Sequence, residues 1–119
     1  MNTDSFMVFY KKELEEEMKL MTTKGEEYCK GNEDRLNNFK SVGAEMGLDP
    51  MKVWAVYFKK HVDSIINYVK CGEVKSNESI ESRFRDARNY LTLGLALIEE
   101  KMKHPPGGCL VTGNPILPF

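Results

Sequence analysis

The fold class predicted for this 119-residue chain is all-α, a four-helix bundle-like domain. Three observations predict it. Apolar residues recur at spacings of three and four along four stretches, the period of a helix with a buried face. Gly, Pro and Asn punctuate those stretches, and no credible strand or internal repeat separates them. The composition, 41% hydrophobic and 29% charged, is that of a globular chain of one domain's length. Residues 1–103 are therefore predicted as a single helical domain and 104–119 as an irregular tail.

The first helix is expected over residues 4–22, capped by Asp4 or Ser5. Its apolar stripe is Met7, Tyr10, Leu14, Met18 and Met21, and Lys24-Gly25 is expected to break it. A second helix is predicted over 33–46, with Leu36, Phe39, Val42 or Gly43, and Met46 on one side and Gly47 as its stop. Leu48-Asp49-Pro50 marks the sharpest boundary. An aspartate accepts from the free amides of a first turn, and proline fits the first helical position because its missing N–H is not needed there. The third helix then runs over 50–70 with a stripe of Ala55, Phe58, Val62, Ile65 and Val69, and Cys71-Gly72 ends it.

Ser76 or Asn77 is expected to cap a fourth helix over 78–103, a rod of roughly 39 Å at 1.5 Å per residue. Ile80, Phe84, Ala87, Leu91, Leu95 and Ile98 are expected to face the core. The opposite side carries Glu78, Ser82, Asp86, Asn89 and Leu93, with Tyr90 and Leu97 at the boundary. A helix apolar on two sides is usually buried on two sides. The second burial is predicted to be another subunit, making a homo-oligomer, specifically a dimer. Past His104, Pro105-Pro106-Gly107-Gly108 stops any helix. Leu110, Val111, Ile116, Leu117 and Phe119 predict that the tail docks on its own bundle or on a neighbour.

Seventeen basic and eighteen acidic residues give a net charge of −1. That excludes duplex nucleic acid as the main partner, since phosphate neutralisation needs a clear basic excess. No apolar run approaches the ~20 residues of a membrane span, and Met1-Asn-Thr-Asp does not read as a signal peptide. The expected setting is cytoplasmic, with Cys29, Cys71 and Cys109 as reduced thiols. With His61 and His104 these cysteines form no zinc ligand set. Neither a nucleophilic triad nor a Gly-rich phosphate loop is legible.

Chemistry is concentrated on the last two helices. Asp86 and Asn89 are expected to be partly desolvated, at a subunit interface or pocket edge. A desolvated carboxylate must be paired, hydrogen-bonded or metal-bound. Asp86 is therefore either a partner for Arg83, Arg85, Arg88 or Lys60, or a ligand for a divalent metal or a substrate base. Lys60 and His61 lie near Tyr57 and Tyr68 on the third helix. Cations beside aromatic faces suit a phosphorylated aromatic ligand, with Trp54 or Tyr57 stacking the base. The plain alternative makes Trp54 and Tyr57 packing residues and His61 a helix-flank residue. Glu13, Glu16 and Glu17 are either solvated or further carboxylates for Mg²⁺, which takes oxygen ligands and keeps several waters.

The segments Gly25-Glu-Glu-Tyr28, Asp34-Arg-Leu-Asn-Asn-Phe-Lys40, Val53-Trp54, Lys60-His61 and Glu78-Ser-Ile-Glu81…Asp86…Asn89-Tyr90-Leu91 resemble small phage and prophage helical proteins. These are similar to the MazG-like, nucleotide-modification-associated helical domains. The resemblance covers about residues 25–100. It implies an all-α, usually oligomeric protein that handles nucleotides, in the host cytoplasm if phage-encoded. It places Lys60, Glu78, Glu81, Asp86 and Asn89 as pocket residues, with Glu78 and Asp86 toward Mg²⁺. The chain departs from the paired E-x-x-E and E-x-x-D carboxylates of the pyrophosphohydrolases. Ser82 stands where related sequences look acidic, Glu81 to Asp86 is not E-x-x-D, and Glu78 and Asp86 lie two turns apart.

Three readings follow. The first is a nucleotide-binding protein, in one form a Mg²⁺-dependent hydrolase or a modification-associated protein. The second is a non-enzymatic anti-defence or interaction protein that sequesters a signalling nucleotide or blocks a host protein. The third is a structural or regulatory helical dimer without a small ligand.

Overall fold

A computed structural model describes residues 1–29, 34–73 and 77–103. Four helices follow one another: α1 (Thr3–Cys29), α2 (Asn37–Met46), α3 (Pro50–Cys71) and α4 (Ile80–Lys103). Among the described residues they pack against each other, so the domain is an all-α bundle. The Ser76 cap and the tail at 104–119 lie outside the described residues.

The α2–α3 corner forms where the local chemistry places it. Gly47 adopts φ 68°, a left-handed conformation that glycine enters without a Cβ penalty, and its N–H donates to the Gly43 carbonyl. Leu48 N–H reaches the same oxygen at 2.8 Å. The chain folds back so tightly that a Cβ on Gly43 would lie 2.5 Å from the Leu48 oxygen. Asp49 then caps α3, its carboxylate accepting from the Met51 amide at 2.8 Å, with Pro50 in the first turn. Gly72, at φ 71°, closes α3 in the same left-handed manner as Gly47.

Three boundaries differ from expectation. The α1 backbone continues through Lys24-Gly25 to Cys29, because a single interior glycine costs only about 1 kcal/mol and a long helix absorbs it. Before α2, Asp34 forms a turn by accepting from the Leu36 amide at 2.9 Å, so the helix itself starts at Asn37. At the start of α4 the side chain of Ser79 accepts from the Ser82 amide at 3.1 Å, placing the cap two residues after Asn77.

The core sits between α3, α4 and α2. Leu36, Phe39, Val53, Trp54, Tyr90, Leu93 and Leu97 form its buried cluster. Trp54 stacks on Phe58 at 5.0 Å, and its indole N–H donates to the Tyr90 carbonyl at 2.6 Å. The ring lies against Gly94, where a Cβ would come within 2.9 Å of it. Phe39 meets Tyr90 edge-on at 6.1 Å, which ties α2 to the same seam. Lys40 of α2 bridges Asp34 and Glu100 of α4.

α4 is turned from the expected orientation toward the side that carries Asp86, Asn89 and Leu93, while of the expected core stripe Ala87 stays buried and Ile80 and Ile98 half-buried. Asp86, Ala87, Asn89, Tyr90, Leu93, Gly94 and Leu97 point inward. Phe84, Leu91 and Leu95 of the expected core stripe are 53%, 50% and 66% exposed. Asp86 and Asn89 are accordingly buried within the subunit, Asn89 fully and Asp86 at the edge of a cleft, one of the two places expected for it. The physical reason is Trp54: an indole this large needs a glycine opposite it, and Gly94 offers that notch on one side of α4 only. On α3 the expected stripe is half-buried from Ala55 to Ile65, and Val69 is 71% exposed because no described residue covers that end. On α1 the expected stripe is exposed at Met7, Tyr10, Leu14 and Met18, while Met21 is half-buried against the core cluster.

Candidate functional site

The polar centre of the molecule is the crossing of α1 and α4. Glu13 of α1 is only 8% exposed. Its carboxylate accepts a two-pronged contact from Arg85, Nε to Oε1 at 3.0 Å and Nη2 to Oε2 at 3.1 Å. Arg88 adds Nη1 to Oε1 at 3.3 Å and Nη2 to the Glu13 carbonyl at 3.3 Å, and it also pairs with Glu17. Arg85 and Arg88 share a face by their spacing of three, as Glu13 and Glu17 do by their spacing of four. These contacts dock α1 on α4. The carboxylates of Glu13 and Glu17, weighed from sequence as metal ligands, are occupied by guanidinium groups.

The hydrogen bond from Arg85 holds the Glu13 carboxyl below the usual glutamate range, burial opposing it and Arg88 adding to it. Asp34 is lowered in the same way by the Lys40 ammonium. A carboxyl whose folded pKa is depressed contributes stability that is present above its unfolded pKa and lost as pH falls through the folded value. Acidification from neutral pH to about pH 3 is therefore expected to lower the Tm. Glu13→Gln should lower the Tm at neutral pH and flatten that acid loss, as read by thermal melts across the pH series. An unchanged slope would remove Glu13 from the docking of α1.

Beside this cluster lies an open cleft of about 460 Å³, lined by Glu16, Lys19, Leu20 and Thr23 of α1 and by Ser82, Arg85 and Asp86 of α4. Asp86, at 6% exposure, forms part of its wall. One turn on, Asn89 is fully buried, and its carboxamide oxygen and nitrogen find no hydrogen-bond partner among the described residues.

The remaining candidates are distributed elsewhere. Trp54 is a core residue, held by Phe58, Gly94 and the Tyr90 carbonyl as described above. Tyr57 is half-buried against Phe39, with the Lys60 ammonium 5.7 Å from its ring centroid. His61 packs its ring on Tyr90 at 4.7 Å. Tyr57, Lys60 and His61 thus belong to the α3 side of the bundle, while Asp86 opens toward α1. Glu78 precedes α4, is exposed and pairs with Arg83, and Glu81 is exposed in the first turn. The structure therefore does not gather the eight expected site residues into one pocket. Among the described residues, no group of three or more His, Cys, Asp or Glu side chains could hold a metal ion. No described helix is long and apolar enough to cross a membrane.

Sequence reading missed the role of Glu13 with Arg85 and Arg88, and of Tyr90 as the shared contact of Trp54, Phe39 and His61. The spacings of the acids and the arginines were visible. Their pairing, 72 residues apart, was not. No protein-family model, curated protein or solved structure matches the chain.

Proposed function

We propose that this chain is a non-enzymatic interaction protein that works through exposed apolar helix faces. One observation carries the reading. Among the described residues eight apolar side chains are buried, while seventeen large apolar ones are exposed. Single exposed apolar residues are ordinary, whereas contiguous ones mark contact surfaces. On α4, Phe84, Leu91, Leu95 and Met102 form such a line at helical spacing, on the face away from the core. The resemblance to phage and prophage proteins suggests a host protein as the partner for this line.

The α1–α4 cleft supports a second reading, a nucleotide or nucleotide-like ligand. Lys19 and Arg85 supply cations, Thr23 and Ser82 supply hydroxyls, and about 460 Å³ is within the size of small-molecule sites. Mg²⁺ would enter with the ligand's phosphates, beside Asp86 and Glu16.

A photo-crosslinking residue at position 95 separates the two, with the same residue at exposed Lys59 as control. The interaction reading expects a discrete protein adduct from 95 and none from 59, in cells that express the chain. It also expects no nucleotide of a panel with Mg²⁺ to be consumed. Equal labelling from both positions, or a consumed nucleotide, would overturn it.

A further inference from the structure

We propose that α1 is a strap latched by ion pairs. It releases from α4 while the core of α2, α3 and α4 stays folded, and its release joins two clefts into one groove. The strap does not involve the outer apolar line of α4 and is compatible with either reading above.

What holds α1 is mostly charge. The buried apolar cluster runs from Leu36 to Leu97 and takes no residue from α1. Residues 1–12 are all exposed. Over residues 13–23 Glu13 is the one buried side chain, with Glu17, Leu20 and Met21 half-buried. The grip therefore comes from Arg85 and Arg88 on Glu13 and Glu17, with little apolar area behind it. The Arg85 and Arg88 side chains are 39% and 35% exposed, so water and salt reach the cluster. Regions with few buried apolar contacts are those that open locally, below the free energy of global unfolding.

The surface beneath the strap favours its release. Ser82, Arg85 and Asp86 line the cleft of about 460 Å³ with α1. Further along α4, Thr92, Leu93 and Ala96 line a second cleft of about 410 Å³, shared with Met21 of α1 and with Arg35 and Leu36 ahead of α2. Asn89 stands between the two sets, seven residues after Ser82 and seven before Ala96, so all three share one side of the helix. Its carboxamide is fully buried and finds no partner among the described residues. Docking α1 strips that amide of water without replacing the hydrogen bonds, and release returns them. With α1 away, the α4 face from 82 to 96 becomes one groove that carries Asp86, Asn89 and Leu93. The ion pairs thus close the strap, and the orphaned amide loads it toward opening.

The test is amide hydrogen exchange on the full chain, read peptide by peptide by mass spectrometry. A released helix frays within about a microsecond, so exchange in α1 reports release. Residues 13–23 are expected to exchange at least about ten-fold faster than residues 53–65, and low urea should speed the second set only. Trp54→Phe weakens the core in both the latched and the released form. It should therefore speed exchange over 53–65 by about five-fold or more and leave 13–23 unchanged. Glu13→Gln should speed 13–23 by about ten-fold or more, and Asn89→Leu should slow it by about five-fold. Three results would each overturn the proposal. They are equal exchange in the two segments, a Trp54→Phe chain in which both accelerate alike, and a Glu13→Gln chain with α1 exchange unchanged. Faster release in Asn89→Leu would overturn the loading by Asn89. Wild type and Trp54→Phe decide between release and global unfolding even if Glu13→Gln fails to fold.

Discussion

Trp54→Ala is expected to lower stability by about 3–5 kcal/mol, the range for removing a buried large aromatic side chain. For a domain whose whole stability is about 5–15 kcal/mol, that is a drop in Tm of roughly 10–20 °C. Three contacts disappear together: the stack on Phe58, the wedge against Gly94 and the hydrogen bond to the Tyr90 carbonyl. Gly94 makes the void hard to close, because no side chain stands there to move in. Trp54→Phe separates the terms. It keeps most of the ring but loses the donor, and should cost about 1–2 kcal/mol. Far-UV circular dichroism melts give the readout, since the chain has a single tryptophan and fluorescence vanishes with it. A base-stacking Trp54 would behave differently, leaving the Tm in place and weakening only a ligand. Tm values unchanged within a few degrees in Trp54→Ala would therefore overturn the packing role.

The same contact explains what could and could not be read from sequence. Local chemistry is legible wherever a residue acts on its own neighbours. Asp49-Pro50 starts α3, and Gly47 and Gly72 close α2 and α3 in left-handed conformations. Helix number and order follow from that punctuation. The orientation of α4 does not. Both of its sides carry enough apolar residues to face a core, so hydrophobic spacing cannot choose between them. The choice belongs to shape, a glycine notch at Gly94 meeting an indole 40 residues earlier. A mid-helix glycine, costing about 1 kcal/mol unless something needs the space, was the available signal. For the site, the desolvation of Asp86 and Asn89 was foreseen, but its cause is the subunit's own interior. The Glu13–Arg85–Arg88 cluster depends on where α1 crosses α4, and no spacing within either helix encodes that crossing.

Asn89 gives the other large expected effect, and its sign depends on pH. The residue is fully buried with both carboxamide atoms unpartnered among the described residues, and Asp86 lies three positions earlier on the same helix face. Asn89→Asp keeps the shape and adds a charge beside a like charge. It should cost about 3–5 kcal/mol at neutral pH, comparable with an uncompensated buried ion. Burial raises the folded pKa of such an aspartate above its unfolded value. The variant is therefore penalised once pH exceeds the unfolded pKa and recovers as pH falls below it. That is the opposite slope to the one Glu13 gives the wild type. Asn89→Leu supplies the matching control. An unpaired buried amide costs about 1–3 kcal/mol in lost hydration, so an apolar side chain of similar volume should leave the Tm unchanged or raise it. A lower Tm in Asn89→Leu would mean that the carboxamide makes hydrogen bonds in solution, to water or to a bound ligand. A leucine variant that is stable yet loses nucleotide binding would make Asn89 a ligand contact and shift the balance from the interaction reading to the cleft.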